Sequence, residues 1–577
     1  MAEKRKADLC VRHVSVLNSY FKTFDRADVY MRDGKILYVD RAEEQCYEAA
    51  EEIDAGGAYM APGLIDIHMH IESSMMTPAA FCERLAQCGV TTIVSEPHEM
   101  ANVGGLSGVT EMIEAGRGAP IDVRYGIPSC VPSTSSRLET TGGEIGCADM
   151  EALYGDPAVA CVGEVMNYRQ IIHENDLEIT KFLKKLRARD TIFPIEGHCP
   201  ALMGADLAEF LFLGINGDHT EHSVAELRAR FEGGMFVEIQ QKTLSPEVLA
   251  LIRENNLYEY FCFVTDDVMA DKLVEEGHLD ALVRRAIALG LAPAQAIYNA
   301  TFTPARRMNL LDRGALDSGK RADFVLLSDL ARFEVQATYR GGKCIYKKGA
   351  ARHEAARARP FSAPYYSSIH LTPQTEQRFA VQAPVRQGVV RVRAIEVRDG
   401  STRTEERVFE LPVQDGLVQW EGSGLLLAVV LERYGKNGGV GYGFMTGDCH
   451  KRGAVATSYA HDCHNLLAAG ATARDLTAAV NRVIALQGGF VCAEDGEILA
   501  ELKLGVGGIL SDRPAEEVGA ALGRVRAAMT ALGYRHYNPI MSFGTITLPV
   551  SPALKLTDKG LIDVKAAQIV PLFVDSV

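Results

Sequence analysis

The chain has 577 residues with Lys+Arg 60 against Asp+Glu 75, a formal net charge of −15, and is 47% hydrophobic and 23% charged. Its length, well beyond the ~150 residues of a typical domain, excludes a single small binding module, and its apolar content supports packed cores rather than disorder. The negative balance argues against a nucleic-acid partner, since polyanion binding runs on cationic counterion release.

The 13 cysteines are scattered without CxxC pairs. That pattern does not read as a disulfide framework and suits a reducing, cytoplasmic setting. No stretch approaches the ~18 apolar residues of a membrane helix, and the charged start from Met1 to Cys10 has no apolar region behind it, so neither membrane insertion nor export is expected.

In chain order, residues 8–54 read as short alternating strands, including 29–31 and 35–39 joined at Asp33-Gly34. From Tyr59 on, apolar runs alternate with amphipathic stretches, the pattern of a parallel sheet with crossover helices. Strands are expected at 64–67, 91–95, 159–163, 192–195, 235–239 and 261–264. A helix is expected to start at Thr77-Pro78, an N-cap residue followed by proline, and to run through Phe81, Leu85 and Cys88 to Gly89.

Residues 61–311 match the ~250 residues of a closed (β/α)8 barrel, and no G-x-G-x-x-G follows an early strand as a dinucleotide fold would require. Residues 322–327 read as the missing partner of the first β layer, so 1–60 and 312–360 are assigned to one composite β domain. The Ala-, Arg- and Pro-rich stretch 350–364 reads as a linker to an α+β domain over 365–577. The expected fold class is therefore α/β, a TIM-like barrel with a composite β domain and a C-terminal α+β domain.

His68 and His70 end an apolar strand, and a strand's period of two puts both imidazoles on one face. Barrel active sites lie at strand C-termini, so the pair is a candidate metal site. Glu164, His198, His219 and Asp266 end later strands or lie just beyond them. Carboxylates and imidazoles from several strands suit two divalent cations, with Glu164 shared between them.

These segments resemble the metal motifs of the amidohydrolase superfamily. More narrowly, Ile71-Glu72-Ser73-Ser74-Met75, the run from Glu96 to Val103, and Ala460-His461-Asp462-Cys463-His464-Asn465 resemble the adenine deaminase family over nearly the whole chain. The resemblance implies a urease-like barrel and β-sandwich, with two divalent ions (Mn, Fe or Zn) on His68, His70, Glu164, His198, His219 and Asp266. It also implies that Asp266, rather than Asp267, takes a proton from the attacking hydroxide and passes it to the leaving group. A free purine base is the implied substrate, and a homodimer or larger homo-oligomer the implied assembly.

One departure bears on substrate. Where the family carries Arg-Glu-Gly-Ser, this chain has Glu238-Ile239-Gln240-Gln241-Lys242-Thr243, and neutral Gln241 cannot supply a proton to a ring nitrogen. Glu238 or Glu72 is then expected to substitute as the acid. Glu72, His98, Gln240, Gln241 and Lys242 are the candidate substrate-binding residues. Amide and ammonium donors also suit a carbonyl-rich substrate, so the expected reaction is adenine deamination, with hydrolytic opening of an oxopurine such as xanthine as the alternative. A scaffold without catalysis is the third reading, though no ligand position has been lost.

Other features have plainer readings. His98 and Glu99 could bind substrate or an extra metal, or could orient His68 or His70. His461 and His464 could reach into the barrel, form a metal site, or make a hydrogen-bonded turn. His222 is placed outside the site and Cys199 in packing, and the Gly-rich stretch 436–441 is read as a turn because it lacks the Lys-Ser/Thr of a phosphate loop.

Overall fold

A computed structural model describes residues 5–174, 176–189, 192–350 and 359–574. The first sheet is built from β1 (Arg5–Asn18), β2 (Thr23–Arg32), β3 (Lys35–Asp40), β4 (Tyr47–Asp54) and β5 (Tyr59–Pro62). The barrel follows at once, with β6 (Leu64–Met69), β7 (Val90–Ser95), β8 (Asp122–Ile127), β9 (Val159–Val165), β10 (Ile195–Gly197), β11 (Gly217–Asp218), β12 (Phe236–Ile239) and β13 (Phe261–Phe263). These eight strands pair in sequence order, all parallel. A parallel bridge between Met69 and Asp266 joins the two ends, giving the expected TIM-like barrel.

The chain then returns to the first sheet through β14 (Phe324–Leu327), β15 (Val335–Arg340) and β16 (Lys343–Lys347). β14 lies antiparallel to β5, with Leu327 opposite Tyr59 and Phe324 opposite Pro62. The strand entering the barrel is thus hydrogen-bonded to the strand that leaves it. Of the expected linker, residues 351–358 lie outside the described residues; after them, Phe361 and Tyr365 are buried against the main core. The C-terminal part forms a 10-stranded and a 3-stranded sheet with the helices Ala473–Leu486 and Ala515–Ala531. Among the described residues no helix is long and apolar enough to cross a membrane.

Local sequence explains the elements that carry the site. The helix Pro78–Gln87 starts with proline after an extended Thr77 and buries Phe81, Cys82 and Leu85. On β6, Ile65 and Ile67 pack inside the barrel with Val94, Cys161, Cys262 and Val264, whereas Met69 joins the layer between barrel and helices. A register shift between Asp66 and Met69 accounts for the change of phase. It is what turns His68 and His70 inward, above the apolar plug.

One expectation shifts and another holds. The strand expected at 192–195 starts at Ile195, and Ile192 is exposed; Pro194 gives its carbonyl to Val162 but has no N–H for the ladder. The Gly-rich stretch is a turn, as expected: the Glu432 carboxylate accepts the N–H groups of Lys436, Asn437 and Gly438.

Candidate metal centre

The strand ends bring the expected ligands to one place. His70 Nε2 lies 3.5 Å from both Glu164 Oε1 and Asp266 Oδ1, and His68 Nε2 lies 4.0 Å from Asp266 Oδ1. On the other side of Glu164, Oε2 is 2.7 Å from His198 Nδ1 and 3.4 Å from His219 Nε2. The two oxygens of Glu164 therefore face different imidazoles, Oε1 that of His70 and Oε2 those of His198 and His219. His68 and His219 stack with ring centroids 3.5 Å apart.

The hydrogen bonds orient the ligand atoms. His70 Nδ1 donates to the Glu96 carbonyl at 2.9 Å, which points Nε2 at Glu164 and Asp266; against the cost of burial, these carboxylates raise the His70 pKa well above its ordinary value, and a cation bound there would displace that proton. His68 Nε2 is buried with no hydrogen-bond partner, and burial together with the neighbouring His219 drives the His68 imidazole well below its ordinary pKa, keeping it neutral. Burial opposes ionisation of Asp266, but the His70 hydrogen bond and the charges of His219 and Lys242 hold its carboxyl below the usual range. Asp266 also adopts a left-handed φ of 60°, a strained setting for a non-glycine residue. A set of four imidazoles and two carboxylates, most of them buried, with His68 Nε2 and His219 Nδ1 unpartnered, suits a divalent metal.

The remaining candidates separate clearly. Gln240 is buried and donates to the His219 carbonyl at 2.9 Å, so it tethers a ligand. Gln241 and Lys242 are exposed; against the cost of desolvation, the charges of Asp266 and Asp267 raise the Lys242 pKa. Asp267 is exposed and accepts the Ser73 hydroxyl.

Glu238 is not brought to the cluster. It lies buried next to Glu196, and burial with that neighbouring acid pushes its carboxyl well above the usual range; Glu196 in turn is bound by Arg307 Nη2 at 2.7 Å. Glu72 is fully buried and accepts the Met100 N–H at 3.3 Å, inside the first turn of the helix His98–Gly116. It caps the helix that carries His98 and Glu99, while burial pushes its carboxyl up to about 7.

His98 Nδ1 is hydrogen-bonded to Glu96 Oε2 and sits 3.5 Å from Glu164 Oε1. Next to it, Glu99 meets His461 Nδ1 at 2.5 Å through Oε1 and His464 Nε2 through Oε2, so the C-terminal histidines do reach the barrel. Sequence reasoning left Glu96 out, although it follows β7 and closes the interval between His70 and His98. His222 pairs with Asp218 at 2.8 Å, and Cys199 donates to the same carboxylate; neither touches the cluster.

Comparison with known proteins matches residues 59–345 to the amidohydrolase family and 401–568 to the adenine deaminase C-terminal domain. "Adenine deaminase 2" of Shouchella clausii is 46% identical over 569 residues, 98% of this chain and 99% of the relative. An adenine deaminase of Clostridium perfringens is 45% identical over 571 residues, 98% of this chain and 100% of the relative. Among solved structures, one described as an adenine deaminase has a TM-score of 0.45 at 15% identity, covering 59% of this chain and 100% of that one.

Proposed function

The chain belongs to the adenine deaminase family of the amidohydrolases, and from that premise we propose that it hydrolyses free adenine to hypoxanthine and ammonia. The observation that carries the reading is the complete ligand set around Glu164 in a chain similar to adenine deaminases over 98% of its length. The ring-opening alternative has no support among these relatives, and the intact cluster leaves the scaffold reading without a basis.

We propose two divalent ions, one held by His68, His70 and Asp266 and the other by His198 and His219, with Glu164 between them. When bound, such ions supply Lewis acidity and an acidified water. Asp266, ionised and lying at the edge of the cluster, is placed to accept a proton at Oδ and to deliver it to the departing amino group. Lys242 stabilises that carboxylate while it is charged. His198, whose side chain is 37% exposed, is the most open of the ligands, and in this reading the substrate approaches from its side.

The test is a purine panel with Mn-loaded protein. Adenine is expected to give ammonia and hypoxanthine in equal amounts. Absence of ammonia from adenine, with loss of the xanthine absorbance in the parallel assay, would reverse the assignment.

A further inference from the structure

We propose that the seam between the barrel and the C-terminal domain binds an additional divalent cation, coordinated by His98, Glu99, His461 and Asp462 and separate from the Glu164 cluster. One donor atom each from His98, Glu99 and Asp462 lies within 4.8 Å of the others, and all three residues are buried. Bonds of about 2.0–2.2 Å put the donors of one transition-metal ion roughly 3–4.4 Å apart. Around Glu99 Oε1, His98 Nε2 lies at 3.6 Å, within that range, and Asp462 Oδ1 is 3.8 Å from His461 Nδ1; His461 Nδ1, 2.5 Å from Glu99 Oε1, is at hydrogen-bond distance and would exchange that bond for one to the ion.

The hydrogen bonds around the seam prepare these atoms as ligands. Glu96 accepts a hydrogen bond from His98 Nδ1, so Nε2 is the His98 atom that faces Glu99, and a cation bound there would displace its proton. His464 Nδ1 accepts the Ala460 N–H at 3.2 Å; its proton is therefore on Nε2 and is donated to Glu99 Oε2. His464 is thus a positioning residue that turns Glu99 Oε1 toward the other donors. Arg433, itself fully buried, holds the His464 carbonyl and donates to the Ser368 carbonyl at 3.0 Å.

The independent observation is Asp462. It is 3% exposed, and its Oδ2 is buried with no hydrogen-bond partner. A buried carboxylate without a donor is costly. An imidazolium at His461 lies close to Glu99 and 3.8 Å from Asp462 Oδ1 but gives Asp462 Oδ2 no donor, whereas a cation between the two carboxylates would satisfy both. Mixed imidazole and carboxylate ligation suits Mn, Fe or Zn. Because His461 and Asp462 belong to the C-terminal domain and His98 and Glu99 to the barrel, the ion would pin one to the other.

The experiment is diffraction at the Mn absorption edge from crystals of the full chain grown with Mn²⁺, for the wild type and Asp462→Asn. The expected result is an anomalous peak among Glu99, His461 and Asp462 in the wild type, lost in Asp462→Asn while peaks at Glu164 persist, with about one Mn fewer per chain by elemental analysis. No seam peak in the wild type overturns the proposal whatever the Glu164 cluster shows, as does an unchanged seam peak in both Asp462→Asn and His461→Ala. If the variants do not fold, the wild-type map alone decides. Absence of peaks at Glu164 bears instead on the two-ion reading of that cluster.

Discussion

Asp218 and His219 are adjacent in the chain and have opposite roles. Asp218 closes an internal clamp: its Oδ2 is bound by Arg230 Nε at 2.7 Å and His222 Nε2 at 2.8 Å, and Oδ1 by the Thr220 hydroxyl at 3.0 Å. His219 instead turns to Glu164, with its Nδ1 unpartnered. Both residues are buried and both sit among carboxylates and imidazoles. Residue type and burial do not distinguish a ligand set from a structural ion pair; the partners of the carboxylate do. Both oxygens of Asp218 have close donors and its charge is balanced by Arg230, although His222 Nδ1 is left without a partner, whereas Glu164 meets imidazoles alone.

The largest effect that would break this contrast is on turnover. Asp266→Asn removes the proton acceptor with little change of volume, and kcat, measured in excess Mn because a ligand carboxylate is also neutralised, should fall by about 10²–10⁴ while the melting temperature stays near wild type. Near-normal turnover would move the proton transfer elsewhere.

On the clamp side, Asp218→Ala leaves Arg230 buried and uncompensated and should cost about 3–5 kcal/mol of stability, read by urea denaturation. Metal content per folded chain should be unchanged. A variant that keeps its stability but loses metal would place Asp218 with the ligands.

Gln240→Ala removes the tether on the His219 carbonyl without touching a ligand atom. Metal affinity should weaken by roughly 10–100-fold, measured by competition with a chelator, and excess metal should rescue turnover. The smallest effect is in pH. Against burial, His222 and Arg230 depress the Asp218 carboxyl well below its ordinary value. The stability it contributes is fully present above the unfolded value of about 3.9 and is lost only as pH falls through the lower folded value. The stability difference between wild type and Asp218→Ala should therefore be flat from about pH 5 to 8 and shrink in strong acid; shrinkage already at neutral pH would exclude the ion-pair account.

Much of this was legible beforehand. The barrel followed from continuous apolar runs, because strands covered on both faces leave no alternation, and the ligands followed from their places at strand ends. β8 escaped because Asp122 and Arg124 interrupt its apolar run; β11 is only two residues long. Glu238 was misplaced because a carboxylate two residues before Gln240 on β12 shares its inward face yet sits a layer deeper, beside Glu196. The role of Glu72 as a helix cap rests on a contact with Met100, 28 positions away. The meeting of His464 with Glu99 spans 365 positions, and no local pattern encodes a contact of that range.

The pairing of β5 with β14 also has a kinetic side. The first sheet is synthesised early, but three of its strands come only after the whole barrel. On the ribosome, the β5 edge of the first five strands stays open until β14, ending at Leu327, has emerged, while the barrel between them folds. Contacts of such sequence separation are slow to form, and an unpaired edge is where chains associate wrongly. The barrel is in effect an insertion into a sheet, and its closure sets the moment at which that sheet can be completed.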